Sequence, residues 1–396
     1  MAKSQNNVAL VFGASGISGW AVTKNLLSYP SSTTFSRIIA LTHRPRTVED
    51  SGLPSDPRLE LYSGIDLRAS LDDVKQQMQS KIPGLEEVTQ VYYLAYANAT
   101  AYSENVMDIK DINVHMTSNA VHASDQLCTN MKFFLLQIGT NNYDRVNPPL
   151  KEDQPRIPSP WGDEIFYYPQ VDLIKDAVKG KQWKWCEVRP DQIIGHVPAV
   201  TSMTYVEPIA LYLSLYRYVN GPGARISFPG TKNFLYTYTD SSQDIITRAE
   251  IYLSVLEPEK ADGEAFNIAD TATPGPWSKK WPILASYFGL EGTGPNHAET
   301  GKEWGEIDKW WNEHLGEYAK MCEEYGLQER VIGEATWVFV KAGFMLLDRN
   351  REMSLDKIRS VGFKEELPVG HGHYRAFDQM ALERIIPSRD TWAKKE

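Results

Sequence analysis

Residues 8–20, VALVFGASGISGW, join a short apolar run to a glycine-rich turn, and this stretch decides the fold. The run VALVF predicts a buried strand, and its glycines follow at a G-x-x-G-x-x-G spacing. Glycine lets backbone amides approach a pyrophosphate, and the helix that follows presents the positive end of its dipole there. The turn therefore predicts dinucleotide binding, and a purely structural turn is the alternative. The predicted contacts are Gly13, Ser15, Gly16, Ile17 and Gly19.

Short apolar runs alternate with amphipathic segments through the first half of the chain. Strands that are apolar almost throughout are typical of a parallel sheet covered on both faces, so the alternation predicts a doubly wound α/β sheet. The predicted strands are 8–12, 37–41, 59–63, 90–95, 132–137 and 184–190, and the clearest helices are 17–28, 69–80 and 104–127. We expect a Rossmann domain over 1–195, with interleaved later segments, and a mainly helical substrate-binding region over 196–396.

The composition is that of an ordinary globular protein, with 42% hydrophobic and 23% charged residues. A net charge of −10 argues against nucleic acid or an anionic membrane surface as the main partner. Cys128, Cys186 and Cys322 lie far apart without metal-ligand spacing, so we expect neither disulfides nor a metal site, as in a reducing cytoplasm. The sequence predicts no signal peptide and no membrane span, and it leaves a homodimer open.

The residues after the second strand distinguish NADP(H) from NAD(H). NAD-binding proteins usually have an acidic residue there for the ribose hydroxyls, whereas IIALTHRPR (38–46) has none and carries His43, Arg44 and Arg46. A guanidinium suits a 2′-phosphate, so NADP(H) is favoured, with a merely solvated basic loop as the alternative. Asp66, after the third strand, is placed to accept from the adenine amino group or to cap the next helix. The remaining predicted cofactor contacts are Ile193 and Ile194.

Motifs spread over nearly the whole chain share one resemblance. They are VFGASGISG (11–19), THR (42–44), YYLAYAN (92–98), LLQIGTNNY (135–143), PPLKEDQPR (148–156), FYY (166–168) and VRPDQIIG (188–195), with weaker similarity in GEAFNIAD (263–270). The set resembles the progesterone 5β-reductase and iridoid synthase-like (PRISE) family of extended short-chain dehydrogenase/reductases. The resemblance implies an extended Rossmann core, a helical substrate-binding part, and the NADPH-dependent reduction of a carbon–carbon double bond conjugated to a carbonyl.

The resemblance also carries a catalytic pair onto this sequence, with one departure. The family's tyrosine, the first of two after phenylalanine, falls on Tyr167, and the family's lysine falls on Asn141. No Y-x-x-x-K arrangement replaces that lysine, because Val171 and Asp172 stand four residues after the two tyrosines. Asparagine can donate a hydrogen bond but does not stabilise developing negative charge as an ammonium does. The resemblance therefore implies Tyr167 and Asn141 as catalytic residues, with Tyr167 as an uncharged donor.

Three functions stay open at this point. A reductase of activated C=C bonds in hydrophobic enones or enals needs only a phenol that donates to the carbonyl oxygen, and we favour it. The loss of the lysine also allows a non-redox isomerase or cyclase, in which Tyr167 is a general acid and the cofactor does not react. A nucleotide-sensing regulator on the same fold is the third, although the retained tyrosine pair argues against it.

Aromatic side chains and one asparagine are further candidates for a pocket that takes a hydrophobic, polycyclic substrate, and each could equally be a packing residue. They are Tyr96, Asn98, Trp161, Tyr205, Phe339 and Phe344. His196, after the sixth strand, is a candidate for a substrate contact. We interpret HGHY (371–374) as a surface turn, because a metal site would need a third ligand nearby. No nucleophile elbow or Ser-His-Asp order indicates a hydrolase.

Overall fold

The computed structural model describes residues 6–97, 109–143, 148–198, 204–296, 306–345 and 349–393. The strands are β1 (Asn7–Phe12), β2 (Phe35–Thr42), β3 (Leu59–Ser63), β4 (Gln90–Tyr93), β5 (Phe133–Gln137), β6 (Lys184–Pro190), β7 (Gln192–Ile194), β8 (Arg225–Ser227), β9 (Asp240–Ser242), β10 (Glu264–Ile268) and β11 (Glu291–Thr293). The helices are α1 (Ile17–Leu26), α2 (Val48–Ser51), α3 (Leu71–Lys81), α4 (Ile109–Leu127), α5 (Tyr167–Ala177), α6 (Val206–Asn220), α7 (Gln243–Ile251), α8 (Pro258–Ala261), α9 (Trp277–Tyr287), α10 (Ile307–Glu313), α11 (Leu315–Tyr325), α12 (Glu334–Met345), α13 (Asp356–Ser360), α14 (His371–Leu382) and α15 (Arg389–Ala393).

Within the described residues, seven parallel strands form one sheet in the order β10-β6-β5-β4-β1-β2-β3. The predicted doubly wound α/β fold is confirmed. The order reverses between β1 and β4, and ligands of such sheets bind in the crevice outside the carboxyl ends of the strands at this point. One difference from the sequence analysis is β10, which joins the edge of the sheet beside β6. A five-residue segment carries too little periodicity to be assigned to a distant sheet.

Both faces of the sheet are covered, which explains why its strands are apolar almost throughout. One face packs against α3, α4 and α5 through a continuous core that includes Leu10 and Phe12 of β1 and Phe134 and Leu136 of β5. These residues are two apart in each strand because side chains alternate between faces. The opposite face carries α1 and a π-helix, Tyr252–Leu256, which follows α7.

Residue contacts divide the chain into two compact units. Unit 1 contains the seven-stranded sheet and comprises Met1–Asp191, Asp244–Ile268 and Ser354–Lys364. Unit 2 comprises Gln192–Gln243, Ala269–Met353 and Glu365–Glu396, and it consists mainly of helices with the strand pairs β7–β9 and β8–β11. Its core is aromatic, with the ring centroids of Trp277 and Phe344 4.7 Å apart. Among the helices described, none is both long enough and apolar enough to cross a membrane.

Candidate active site

The glycine-rich turn follows β1 and leads into α1. Gly13 has φ +84°, and a β-carbon there would lie 2.7 Å from a backbone nitrogen in the loop after β4. A β-carbon on Gly19 would lie 2.1 Å from the Gly13 carbonyl oxygen, so both positions require glycine. Gly16 is the N-cap of α1 and offers no capping side chain, which suits a phosphate at the helix terminus. The other two predicted contacts, Ser15 and Ile17, flank Gly16 and are half-buried.

Two polar side chains that the sequence analysis did not identify stabilise the backbone around the glycine-rich turn. Asn113 on α4 is buried; its amide oxygen accepts from the Ala97 amide and its amide nitrogen donates to the Ala97 carbonyl, both at 3.0 Å. Gln137 at the end of β5 donates to Ser18 Oγ at 2.9 Å. These bonds fix the loop after β4 and the start of α1. A polar residue among the apolar positions of α4 was the available signal for Asn113.

The paired tyrosines at the start of α5 have different environments. Tyr168 is buried, and its hydroxyl donates to the Asn142 carbonyl oxygen and accepts from the Ile157 amide, both at 2.8 Å. Tyr167 is half-buried, and its hydroxyl lies beside Gly139, two residues after β5. A β-carbon on Gly139 would lie 3.1 Å from Tyr167 Oη. Tyr168 therefore braces the loops on either side of it, whereas Tyr167 brings a phenol to the carboxyl end of β5.

Aromatic rings continue from Tyr167 toward the loop after β4. The centroid of Phe166 lies 4.5 Å from that of Tyr167 and 6.0 Å from that of Tyr96. Tyr96 is 47% exposed, so part of its ring is available to a ligand. Trp161, at the start of a 3₁₀ turn before α5, is 76% exposed. Asn98 lies outside the described residues.

Asn141 lies in the 3₁₀ turn directly after β5 and is exposed. Thr140 in the same turn donates through Oγ1 to Asp191 Oδ1 at 2.7 Å, which anchors the turn beside the end of β6. Asn141 is two residues after Gly139, and the Tyr167 hydroxyl lies beside Gly139. The two predicted catalytic residues are thus at the same edge of the sheet.

Several basic side chains lie together where β2 and β3 end. His43 and Arg44 are exposed, and Arg68 Nη2 lies 3.0 Å from His43 Nε2. Arg68 also binds Asp66, with Nε to Oδ1 at 2.7 Å and Nη2 to Oδ2 at 2.8 Å. Partial burial raises the pKa of the Asp66 carboxyl, but the hydrogen bonds from Arg68 outweigh it and the pKa is lowered overall. The helix-cap alternative for Asp66 is wrong because Ser70 caps α3. A single arginine after a strand has no distinctive pattern, which is why Arg68 was not predicted.

Unit 2 contains the remaining predicted contacts. Ile193 and Ile194 form β7, and Ile194 is buried. Tyr205 directly precedes α6 and is 1% exposed, with its ring centroid 5.7 Å from that of Phe344 and 6.4 Å from that of Phe339. Phe344 is fully buried and Phe339 is half-buried. Tyr205 therefore meets two phenylalanines of α12, more than 130 residues further along the chain, in the core of unit 2, and the contact of these three side chains with a substrate remains a prediction.

His196 and His373 are core residues of unit 2. His196 is fully buried, with Nε2 2.8 Å from Glu383 Oε2 and Nδ1 3.4 Å from Glu207 Oε2. Burial lowers the pKa of His196, but the two carboxylates outweigh it and raise the pKa overall. Its contact with a substrate remains a prediction. HGHY begins α14, so the predicted surface turn is wrong: His373 is 1% exposed, and burial lowers its pKa to about 4. The described part of the chain contains no cluster of three or more candidate metal ligands.

Known proteins with a similar sequence or structure include short-chain dehydrogenases, a reductase and an epimerase. A family model described as a PRISE-like Rossmann-fold domain matches residues 9–387. The chain is 54% identical over 401 residues to the short chain dehydrogenase ausT of Aspergillus calidoustus, with 98% of this chain and 96% of that protein covered. It is 29% identical over 400 residues to the 3-oxo-Δ(4,5)-steroid 5β-reductase of Arabidopsis thaliana, covering 97% and 94%. The structure of Bacillus cereus UDP-glucuronic acid 4-epimerase, in complex with UDP-glucuronic acid and NAD, has a TM-score of 0.59 at 14% identity, covering 95% of this chain and 99% of that one.

Proposed function

Because the chain belongs to the PRISE family of Rossmann-fold proteins, within the short-chain dehydrogenase/reductases, we propose that it uses NADPH to reduce a carbon–carbon double bond conjugated to a carbonyl. The substrate is a hydrophobic enone or enal. The observation that supports this best is the position of the Tyr167 hydroxyl beside Gly139, at the carboxyl end of β5. Ligands of this fold bind at that edge of the sheet.

The residues of unit 1 fit the cofactor. Gly13 and Gly19 occur where a β-carbon would collide with backbone, and the start of α1, which has no capping side chain, suits a pyrophosphate. His43 and Arg44 are exposed where β2 ends and would meet a 2′-phosphate. NADPH, when bound, supplies the hydride. The chain's own residues position the substrate and stabilise charge on it.

Tyr167 donates a hydrogen bond to the carbonyl oxygen of the substrate. Hydride addition at the β-carbon puts negative charge on that oxygen, and a donor already in place stabilises it. A proton from water would then add at the α-carbon, so the product would gain two hydrogens, one as the hydride that bound NADPH would supply and one as this proton. The rings of Phe166 and Tyr96 beside Tyr167 offer an apolar surface to the substrate. Positioning contributes most of the acceleration, since the phenol forms no covalent bond.

A second function is favoured by one specific residue. Asn141 stands where the resemblance places a lysine, so the turn after β5 presents an amide instead of an ammonium at that position. An uncharged partner suits a non-redox isomerase or cyclase, in which Tyr167 protonates an epoxide or carbonyl as a general acid. The cofactor would then shape the site without reacting.

The mass of the product distinguishes the two functions. We expect incubation with NADPH and a panel of hydrophobic enones and enals to give products two hydrogens heavier, in step with the loss of NADPH absorbance. Mass spectrometry and absorbance measured on the same samples provide the test. A product of unchanged mass with intact NADPH would contradict the reductase and support the isomerase.

Cofactor preference is tested separately by the Arg44→Ala variant. Hydrogen bonds to charged groups contribute about 1.5–3 kcal/mol, so we expect NADPH affinity to fall about 10- to 100-fold while NADH affinity stays unchanged. Fluorescence titration of both cofactors measures this. Arg46→Ala is the matched control, because the Arg46 side chain donates to the Asp50 carbonyl oxygen. Equal losses for NADPH and NADH, or the same effect in both variants, would contradict a 2′-phosphate contact at Arg44.

A further inference from the structure

Within unit 1, a carboxylate lies beside the end of β2, although the loop sequence HRPR (43–46) contains no acid. His43 is the first residue after β2, and its Nε2 lies 3.6 Å from Oδ2 of Asp66, three residues after β3. The two strands are parallel neighbours, so their carboxyl ends meet at one edge of the sheet. An acid at the end of β2 usually accepts from the ribose hydroxyls of NAD(H), and its charge repels a 2′-phosphate. By its position, Asp66 therefore opposes the preference for NADP(H).

Arg68 neutralises this carboxylate. Its Nε donates to Asp66 Oδ1 at 2.7 Å, its Nη2 donates to Oδ2 at 2.8 Å, and its backbone amide donates to Oδ1 at 3.1 Å. A guanidinium that binds both oxygens of one carboxylate is the strongest and most directional form of such a pair. The two side chains are 29% and 33% exposed, so the pair lies at a surface that a ligand can approach.

The same guanidinium contacts the histidine at the end of β2. Arg68 Nη2 lies 3.0 Å from His43 Nε2. An arginine nitrogen can only donate, so Nε2 accepts in this contact and the imidazole is uncharged. His43 therefore adds no positive charge beside Asp66, and the compensating charge comes from Arg68.

Hydrogen bonds from α4 fix the backbone on both sides of Arg68. Asn119 is 4% exposed, and its Nδ2 donates to the carbonyl oxygens of Leu67 and Ala69, each at 2.8 Å. The Ala69 amide donates to the Asp66 carbonyl oxygen at 3.1 Å, which closes the turn. Because the turn is held in this way, Arg68 loses little conformational freedom when it binds Asp66.

We propose that Arg68 determines the preference for NADPH over NADH by neutralising Asp66. The proposal rests on the proposed function, since it requires that the adenosine end of the cofactor lies where β2 and β3 end. With Arg68 in place, the charge of Asp66 is compensated beside the 2′-phosphate, and its oxygens are occupied by donors of the protein instead of the ribose hydroxyls. Arg68 acts through Asp66 and needs no contact of its own with the cofactor.

Fluorescence titration of the full-length Arg68→Met variant with NADPH and NADH tests the proposal. We expect the affinity for NADPH to fall about tenfold or more, because an uncompensated carboxylate then lies beside the 2′-phosphate, whereas the affinity for NADH changes by less than about threefold. In an Asp66→Asn background there is no carboxylate to neutralise, so Arg68→Met should lower NADPH affinity by less than about threefold. A merely structural role of Arg68 would weaken the binding of both cofactors in both backgrounds. Arg68→Gln also removes the charge and replaces Arg68→Met if that variant folds poorly.

Arg58→Met is the matched control. Arg58 binds Asp56 with the same geometry, Nε to Oδ1 at 2.9 Å and Nη2 to Oδ2 at 2.8 Å, but it precedes β3 instead of following it. The ratio of NADPH to NADH affinity should not change in this variant. An unchanged ratio in Arg68→Met, or an equal NADPH loss in the two backgrounds, would overturn the proposal while a wild type that prefers NADPH upholds the proposed cofactor. A wild type without that preference would contradict the proposed cofactor and this inference together.

Discussion

The Tyr167→Phe variant is expected to turn over its substrate about 10²- to 10³-fold more slowly than the wild type, the usual cost of removing one hydrogen-bond donor to a developing oxyanion. The affinity for NADPH should not change, because the ring remains and only the hydroxyl beside Gly139 is lost. Single-turnover kinetics with saturating NADPH, together with fluorescence titration of the cofactor, measure the two quantities.

Tyr168→Phe is the matched control for this prediction. It also removes one hydroxyl, but that hydroxyl holds the Asn142 carbonyl and the Ile157 amide. Leaving these two groups without their partner should lower the free energy of unfolding by about 1–3 kcal/mol. Turnover should fall much less than in Tyr167→Phe, since the phenol at the end of β5 remains. Full turnover in Tyr167→Phe, or a larger kinetic loss in Tyr168→Phe, would contradict the assignment of the two roles.

The fold was predictable because short sequence patterns that indicate strands and helices recur along the chain. Each strand of the sheet core is a short apolar run, and the glycine-rich turn marks the first strand-to-helix connection. β10 was not assigned to the sheet because it is short, lies far along the chain from β6, and includes exposed and half-buried positions. Its pairing depends on tertiary contacts that no local pattern contains.

The candidate site was predictable in part. The glycines and the tyrosine pair could be located from motifs, but the sequence does not show which tyrosine uses its hydroxyl for packing. That depends on where the helix begins, which directs Tyr168 to the Asn142 carbonyl and Tyr167 to Gly139. His373 illustrates the same limit, because a polar motif in sequence is buried once α14 packs.

A buried acid outside the candidate site makes the stability of the protein depend on pH. Glu250 on α7 is fully buried, and neither carboxylate oxygen has a hydrogen-bond partner among the described residues. Tyr92 and Cys186, which are close enough for the Glu250 charge to affect their pKa values, are also fully buried. Burial raises the pKa of the Glu250 carboxyl well above its ordinary value, because the folded protein favours the uncharged form.

This shift predicts how stability depends on pH. Above about pH 4.3 the unfolded chain releases the proton more readily than the folded chain does, so rising pH favours unfolding. Glu250→Gln removes the titration. We therefore expect the stability of Glu250→Gln relative to the wild type to increase from about pH 5 to about pH 7, as measured by urea denaturation. Glu259→Gln, an exposed change on α8 where the side chain is 81% accessible, should show no such slope. A constant difference between Glu250→Gln and the wild type across that range would mean that Glu250 is ionised in the folded protein, which its burial without partners argues against.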